Sequence, residues 1–120
     1  MTFTEILNDA ANNVEGAMAV GLVGVDGIGV ETVVSDGIDL DTESVEVELA
    51  GLVGNVSRTA QALSAGQVRD MFVEAEKQSY LISFLDSDYF LVVMLGPQAN
   101  LGRARFEARR ISQRLRDNLS

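Results

Sequence analysis

Over the first fourteen residues Phe3, Ile6, Leu7, Ala10, Ala11 and Val14 recur at spacings of three and four, which predicts an amphipathic helix over Thr2–Val14. Thr4 is placed to cap its start, and Asn12, Asn13 and Gly16 end it. Ala17 to Val25 then reads as an apolar strand, and Ile28 to Val34 as a second. The Asp26-Gly27 pair between them predicts a hairpin, because a type I′ turn needs positive φ at both central residues. In the second strand Ile28, Val30, Thr32 and Val34 share one face, and Gly29, Glu31 and Val33 the other. Gly21 and Gly24 interrupt the first strand and mark either close approach of a helix or a bulge.

Ser35 to Asp41 is turn-rich, and from Thr42 to Ser64 the period becomes helical again. Val45, Leu49, Leu52, Val53, Val56, Ala60 and Leu63 form one stripe, Asp41 or Thr42 caps the start, and Gly66 ends the helix. Such a helix is ~35 Å long at 1.5 Å per residue. Three strands follow, over Val68–Glu76, Ser79–Leu85 and Tyr89–Leu95. Met71, Val73 and Ala75 share a face of the first. In the second, Tyr80, Ile82 and Phe84 oppose Leu81, Ser83 and Leu85. The third is almost entirely apolar, which places it at the centre of a sheet. Gly96-Pro97 breaks it, and Asn100 caps a last helix running to about Asn118 with Leu101, Ala104, Ala108, Ile111, Leu115 and Leu119 along one side. The order α-β-β-α-β-β-β-α, with tight turns between consecutive strands, predicts an α+β fold with one five-stranded, mostly antiparallel sheet and helices on its faces.

A length of 120 residues fits a single domain over 1–120. The absence of cysteine and histidine excludes disulfides, thiolate nucleophiles, structural zinc sites, Ser-His-Asp triads and imidazole bases. Ser57, Ser64 and Ser79 accordingly have no base to activate them. The net charge of −9 argues against nucleic acid or anionic lipid as a partner of the whole surface. No apolar run is long enough to span a membrane, and residues 1–20 lack a basic stretch before an apolar core, so a cytoplasmic protein is expected.

The charge is unevenly placed. Residues 1–57 hold eleven acids and no base, whereas residues 101–120 hold six arginines and two acids. A basic last helix in an acidic chain meets either the acidic half of its own chain or a partner, or is simply a solvated face. Asp36, Asp39, Asp41 and Glu43 read as a solvated loop leading into a helix cap, since the EF-hand pattern of oxygen ligands is absent. The glycines of residues 21–29 lie within a hairpin and lack the GK[ST] ending of a phosphate loop. No metal or cofactor is expected.

The middle helix carries the clearest candidate surface. Beside its main stripe stand Val47, Ala50, Gly51, Gly54 and Ser57. Glycine inside a helix costs ~1 kcal/mol relative to alanine, so two within four positions need a reason. One is close approach of a second copy of the same helix, and the other is fit onto the chain's own curved sheet. Glu43 and Glu46 suit the helix N-terminus and offer an acidic contact surface, and Arg58 and the C-terminal arginines are able to reach a partner's phosphate in trans.

This order of elements, together with Asn100-Leu101-Gly102 and Arg105 opening the last helix, the Asp26-Gly27 turn and the apolar strand Tyr89-Phe90-Leu91-Val92-Val93, resembles the roadblock/LC7 family, in particular its bacterial MglB-like branch. The resemblance implies a sheet in the order 2-1-5-4-3, with the middle helix on one face and the first and last helices on the other. It implies a homodimer in which middle helices pair and third strands join into one continuous sheet, with Val47, Ala50, Gly51, Gly54, Ser57, Arg58, Arg69, Met71 and Val73 at the interface. It further implies a non-enzymatic regulator of a small Ras-like GTPase, often one that stimulates GTP hydrolysis, with Glu43, Glu46, Val47, Ala50 and Gly54 meeting the partner. A structural scaffold without effect on hydrolysis is the alternative.

Overall fold

A computed structural model of the chain describes residues 2–119. Its elements are α1 (Phe3–Asn13), β1 (Ala17–Gly24), β2 (Gly29–Val34), α2 (Thr42–Ala62), β3 (Asp70–Glu74), β4 (Ser79–Phe84), β5 (Tyr89–Leu95) and α3 (Leu101–Leu119). The strands form one sheet in the order β2-β1-β5-β4-β3, as the resemblance implied. All four neighbouring pairs are antiparallel.

Alternation along the strands divides the core in two. Val20 and Leu22 of β1, Leu81 of β4, and Leu91, Val93 and Leu95 of β5 point to one face. There they meet Ile6, Leu7 and Ala10 of α1 and Ala104, Ala108, Ile111 and Leu115 of α3. Val23, Ile82, Phe90 and Val92 point to the other, against Leu49, Ala50 and Val53 of α2. β5 is central and buried on both faces, hence its unbroken apolar run. Each such large side chain removed from water contributes about 1.5–3 kcal/mol.

The helices cover the sheet unevenly. α1 lies over β1 and β2 on one face and α3 over β4 and β5 on that same face, whereas α2 crosses the opposite face, its start over β1 and β2 and its Leu49, Ala50 and Val53 packed with Phe90 and Val92 of β5 and Ile82 of β4. β3, at the sheet edge, is only sparsely covered: Met71 packs against the α2-side core and Asp70 meets Arg109 of α3 at 3.9 Å.

Several boundaries and caps differ from expectation. Thr2, not Thr4, caps α1: its side chain accepts from the Glu5 amide at 3.1 Å, and Glu5 reaches back in a capping box. Thr4 is instead free to donate to Glu31 of β2 at 2.8 Å. At the β1–β2 hairpin only Gly27 has positive φ (89°), so the turn is not type I′. Asp26 instead accepts from the Ile28 amide at 3.0 Å, and the Gly24 amide donates to the Ile28 carbonyl at 2.9 Å, closing a longer loop with glycine at its left-handed position. The interruption of β1 is a bulge between Leu22 and Val23, not a helix approach. A Cβ on Gly21 would meet the Thr32 hydroxyl of the neighbouring strand at 2.9 Å. The α2 helix ends before Gly66, because Ser64 takes the left-handed conformation (φ 56°) and the Ala65 amide returns to the Ala60 carbonyl at 2.8 Å. Leu63 therefore falls off the apolar stripe into solvent. β3 is shorter than Val68–Glu76, since pairing with β4 runs only from Asp70 to Glu74. Asn100 does cap α3, accepting from the Arg103 amide at 3.0 Å.

Asp41 caps α2, accepting from the Ser44 amide at 3.3 Å and the Ser44 hydroxyl at 2.8 Å. These hydrogen bonds, the hydroxyl's first, hold its carboxyl below its usual 3.8. A carboxyl whose folded pKa lies below the unfolded value contributes stability above the unfolded pKa and loses it as pH falls through the folded one. The melting-temperature advantage of wild type over Asp41→Asn is therefore expected to be constant near neutrality and to shrink as pH falls below 3.8. An advantage independent of pH down to full protonation disproves this role of the charge.

Candidate functional site

Four residues of α2 at positions i, i+4, i+7 and i+11 make its outward stripe: Val47, Gly51, Gly54 and Arg58. All four are exposed, Val47 at 59%. A Cβ built on Gly51 or Gly54 meets nothing within 4 Å, so nothing inside this chain requires glycine at either position. That removes the alternative in which these glycines fit the helix onto its own sheet. Arg58 donates to Asn55 on the same helix.

The remaining candidates divide. Ala50 is only 7% exposed and packs inward with Leu49 and Val53, so in the single chain it belongs to the core under α2, not to the outward stripe. Ser57 is half-buried at the flank of the helix nearer β4. Glu43 is exposed at the first turn. Glu46 turns toward the sheet, accepts from the Thr32 hydroxyl at 2.8 Å and fills the space a side chain on Gly29 would need. Its carboxylate is thus engaged in holding α2 onto β2, which is why Gly29 carries no side chain.

Arg69, Met71 and Val73 stand at the opposite end of the sheet. Arg69 is exposed, and its carbonyl accepts from the Phe84 amide at 3.0 Å. Met71 and Val73 pair with Ile82 and Tyr80 and face the α2 side, half-buried. With Tyr80 these residues form a half-buried shelf at the margin of the α2-side core, against which Met71 and Tyr80 pack. The outer edge of β3 pairs with no described strand and is available for extension.

Between α2 and α3 at this end of the sheet lies an open cleft of about 1220 Å³. Ser57 and Gln61 of α2, the segment 65–70, the end of β4 and Arg109, Ser112 and Arg116 of α3 line it. Several of its polar groups hold the frame, whereas the buried Ser112 hydroxyl has no hydrogen-bond partner among the described residues. Asp70 accepts from the Ser83 hydroxyl at 2.9 Å and meets Arg109 at 3.9 Å. Arg116 donates to the carbonyls of Phe84 at 2.8 Å and Leu85 at 3.2 Å. Among the described residues no group of three or more acidic side chains is placed to hold a metal ion, and no helix is long and apolar enough to cross a membrane.

Two features were missed in the sequence. The hairpin tip folds against α2, bringing the Cβ position of Gly27 to 3.7 Å from Val47, so exposed Val25 and Ile28 border the α2 stripe. The signal was present in the apolar residues flanking Asp26-Gly27, but counting them as strand hid it. Glu107 of α3 is 2% exposed, flanked by Arg103 at 3.3 Å and Arg110 at 3.8 Å, although helical periodicity sets it beside the apolar stripe.

The family model for the Roadblock/LC7 domain matches residues 3–95, ending with β5 and leaving out α3 and its Asn100–Arg105 opening. No curated protein matches the chain by sequence. Among solved structures it is similar to MglC from Myxococcus xanthus, at 34% identity over 98% of this chain and 99% of that one, with a TM-score of 0.72. It is also similar to Myxococcus xanthus MglB, at 21% identity over 98% and 94% with a TM-score of 0.89. A gliding protein MglB from Thermus thermophilus aligns at 16% identity over 96% and 86%, with a TM-score of 0.87. These alignments include α3, so the last helix belongs to the shared fold even though the family model stops before it.

Proposed function

Because this chain belongs to the roadblock/LC7 domain family, we propose that it acts as a homodimeric, non-enzymatic regulator that binds a small Ras-like GTPase on the α2 side of its sheet. The observation that carries this reading is the pair of glycines, Gly51 and Gly54, in mid-helix and open to space. Each costs the isolated helix ~1 kcal/mol, and only a backbone approaching from outside the chain makes use of that opening. The neighbouring shelf of Met71, Val73 and Tyr80 and the free edge of β3 supply the rest of such an interface. Two copies joined at β3 bring their α2 helices together above the shelf, and the interface is isologous.

In the dimer the partner meets the ends of the paired helices, where Glu43, Val47, Val25 and Ile28 remain exposed. Ala50 and Glu46 act there from beneath, by fixing the helix on its sheet. The structural likeness to MglB and MglC supports this class of function.

The test is a pull-down of a purified Ras-like GTPase, encoded beside this protein, in its GDP-bound and GTP-analogue-bound states, followed by GTP hydrolysis with and without the protein. Binding that favours one nucleotide state and speeds hydrolysis supports a regulator. Binding without acceleration supports the scaffold. No binding in either state overturns the proposal.

A further inference from the structure

At the end of the sheet away from β3, β2 is also an edge strand. Its register with β1 fixes which backbone groups are free. The Ser35 amide donates to the Met18 carbonyl at 2.9 Å, so these two residues form a hydrogen-bonded pair. Bonded and non-bonded pairs alternate along an antiparallel ladder. Val20 with Val33 and Leu22 with Glu31 are therefore bonded pairs, whereas Ala19 with Val34 and Gly21 with Thr32 are not. The N–H and C=O groups of Thr32 and Val34 thus point away from β1, to the open edge. Lysine, proline and bulges are the usual devices that blunt such an edge. β2 has no lysine or proline, and its bulge lies at the hairpin end, beyond Glu31.

Each face beside this edge presents a carboxylate. Glu31 points to the α1 side and accepts from the Thr4 hydroxyl at 2.8 Å. Glu46 stands on the α2 side and accepts from the Thr32 hydroxyl at 2.8 Å. Hydroxyls leave both charges in place, and neither glutamate has an ion pair among the described residues. The elements in contact with β2 are β1, α1 and α2. Their one base is Arg58, roughly three turns further along α2 than Glu46. Ile28, 68% exposed, and Val30, 46% exposed, add an apolar patch at the start of the edge.

We infer that the outer edge of β2 takes up an extended segment of a partner protein as an added strand, a segment with two adjacent basic residues beside a β-branched or aromatic one. Successive residues of a strand point to opposite faces, so two adjacent bases reach Glu31 on one side and Glu46 on the other. Backbone bonds to Thr32 and Val34 supply affinity, and the side chains supply choice. A nucleic acid or an anionic membrane meets the same carboxylates and is repelled. A second copy of this chain is the poorer occupant. Pairing β2 with itself sets two acidic edges together. The chain's own bases lie on α2 and α3, at Arg69 before β3 and at Lys77 in the β3–β4 turn, so β2 of another copy finds no basic strand to pair with. Because β2 and β3 close opposite ends of the sheet, a strand added at β2 leaves β3 open to a second copy.

The test presents the intact protein with three short, blocked peptides: valines and threonines around two adjacent arginines, the same with glutamates for the arginines, and the first with alternate backbone nitrogens methylated. Fluorescence anisotropy is expected to show binding of the arginine peptide alone, weaker as salt rises. Amide exchange read by NMR is expected to slow about tenfold or more at Thr32 and Val34 in saturating peptide, and to hold its rate along β3. Affinity falls about three- to tenfold in the double variant Glu31→Gln, Glu46→Gln, which keeps both hydroxyl contacts and removes the charges. Val34→Pro removes an outward N–H without breaking a bond to β1 and is expected to abolish binding. If that variant does not fold, the methylated peptide puts the same question to the wild-type chain. Equal binding of the glutamate or the methylated peptide overturns the inference, as does unchanged exchange at Thr32 and Val34. An arginine peptide that does not bind, or that binds the double variant as it binds wild type, overturns it too. Self-association lost in Val34→Pro assigns the edge to a second copy and overturns it likewise.

Discussion

Gly54→Leu is expected to turn the protein into a monomer at micromolar concentration without weakening its fold. Nothing in the chain lies within 4 Å of a Cβ at this position, so leucine enters solvent and displaces no packed group. Replacing an interior helix glycine also stabilises the helix by up to ~1 kcal/mol. In two paired α2 helices the same side chain stands between the backbones, and overpacking a close contact costs about 1–3 kcal/mol at each of the two symmetry-related copies. Association therefore weakens by roughly two to four orders of magnitude while the thermal midpoint of the monomer holds or rises. Light scattering and circular dichroism on the same samples read both quantities. A variant that still scatters as a dimer defeats the small-residue argument, and one that unfolds shows that Gly54 has a role inside the chain.

The largest loss of stability is expected from Phe90→Ala, at about 3–5 kcal/mol. Phe90 is fully buried on the central strand, pairs with Val23 on one side and Phe84 on the other, and packs beneath Leu49, Ala50 and Val53. Its ring lies 6.5 Å from that of Phe84 at a tilted angle. The α2-side core is the smaller of the two, so a cavity there has few neighbours able to close it. A loss of this size is a large share of the 5–15 kcal/mol typical of a whole domain. It falls first on α2, so amide exchange is expected to accelerate in α2 before it does in α3. Leu63→Ala, at an exposed position beyond the same helix, is expected to change stability by no more than about 0.5 kcal/mol. Urea unfolding of the two variants checks the contrast, and equal losses refute the assignment of Phe90 to a confined core.

Where local rules acted alone, they were legible. The period of the middle helix, the alternation in β4 and the unbroken apolar run of β5 each follow from which faces a residue must bury, and each predicted its element. Ends were less legible, because capping depends on which of several competent side chains the surroundings leave free. Thr2 and Thr4 are equivalent in sequence, yet only Thr2 has Glu5 at the third helical position to complete a capping box. Gly66 is left-handed, as its type suits, but Ser64 two residues earlier is left-handed too, and the helix has already ended there with the return bond from the Ala65 amide to Ala60. The candidate surface was half legible. The unusual glycines marked α2, but Ala50 and Glu46 could not be sorted from Gly51 and Gly54 by spacing, since all four lie within three turns of one helix.

What the sequence determined by itself is the set of elements, their order and the rule that the function lies outside thiol and imidazole chemistry, because period and composition are local properties of the chain. What only the tertiary structure decided is which side chains face nothing. The path of α2 from β1 and β2 across to β5 and β4 leaves Met71, Val73 and Tyr80 half-buried at its margin, and the seating of α3 on β4 and β5 leaves Phe72 exposed. Exposure depends on where one element ends and its neighbour begins to cover it, and that relation joins residues far apart in the chain.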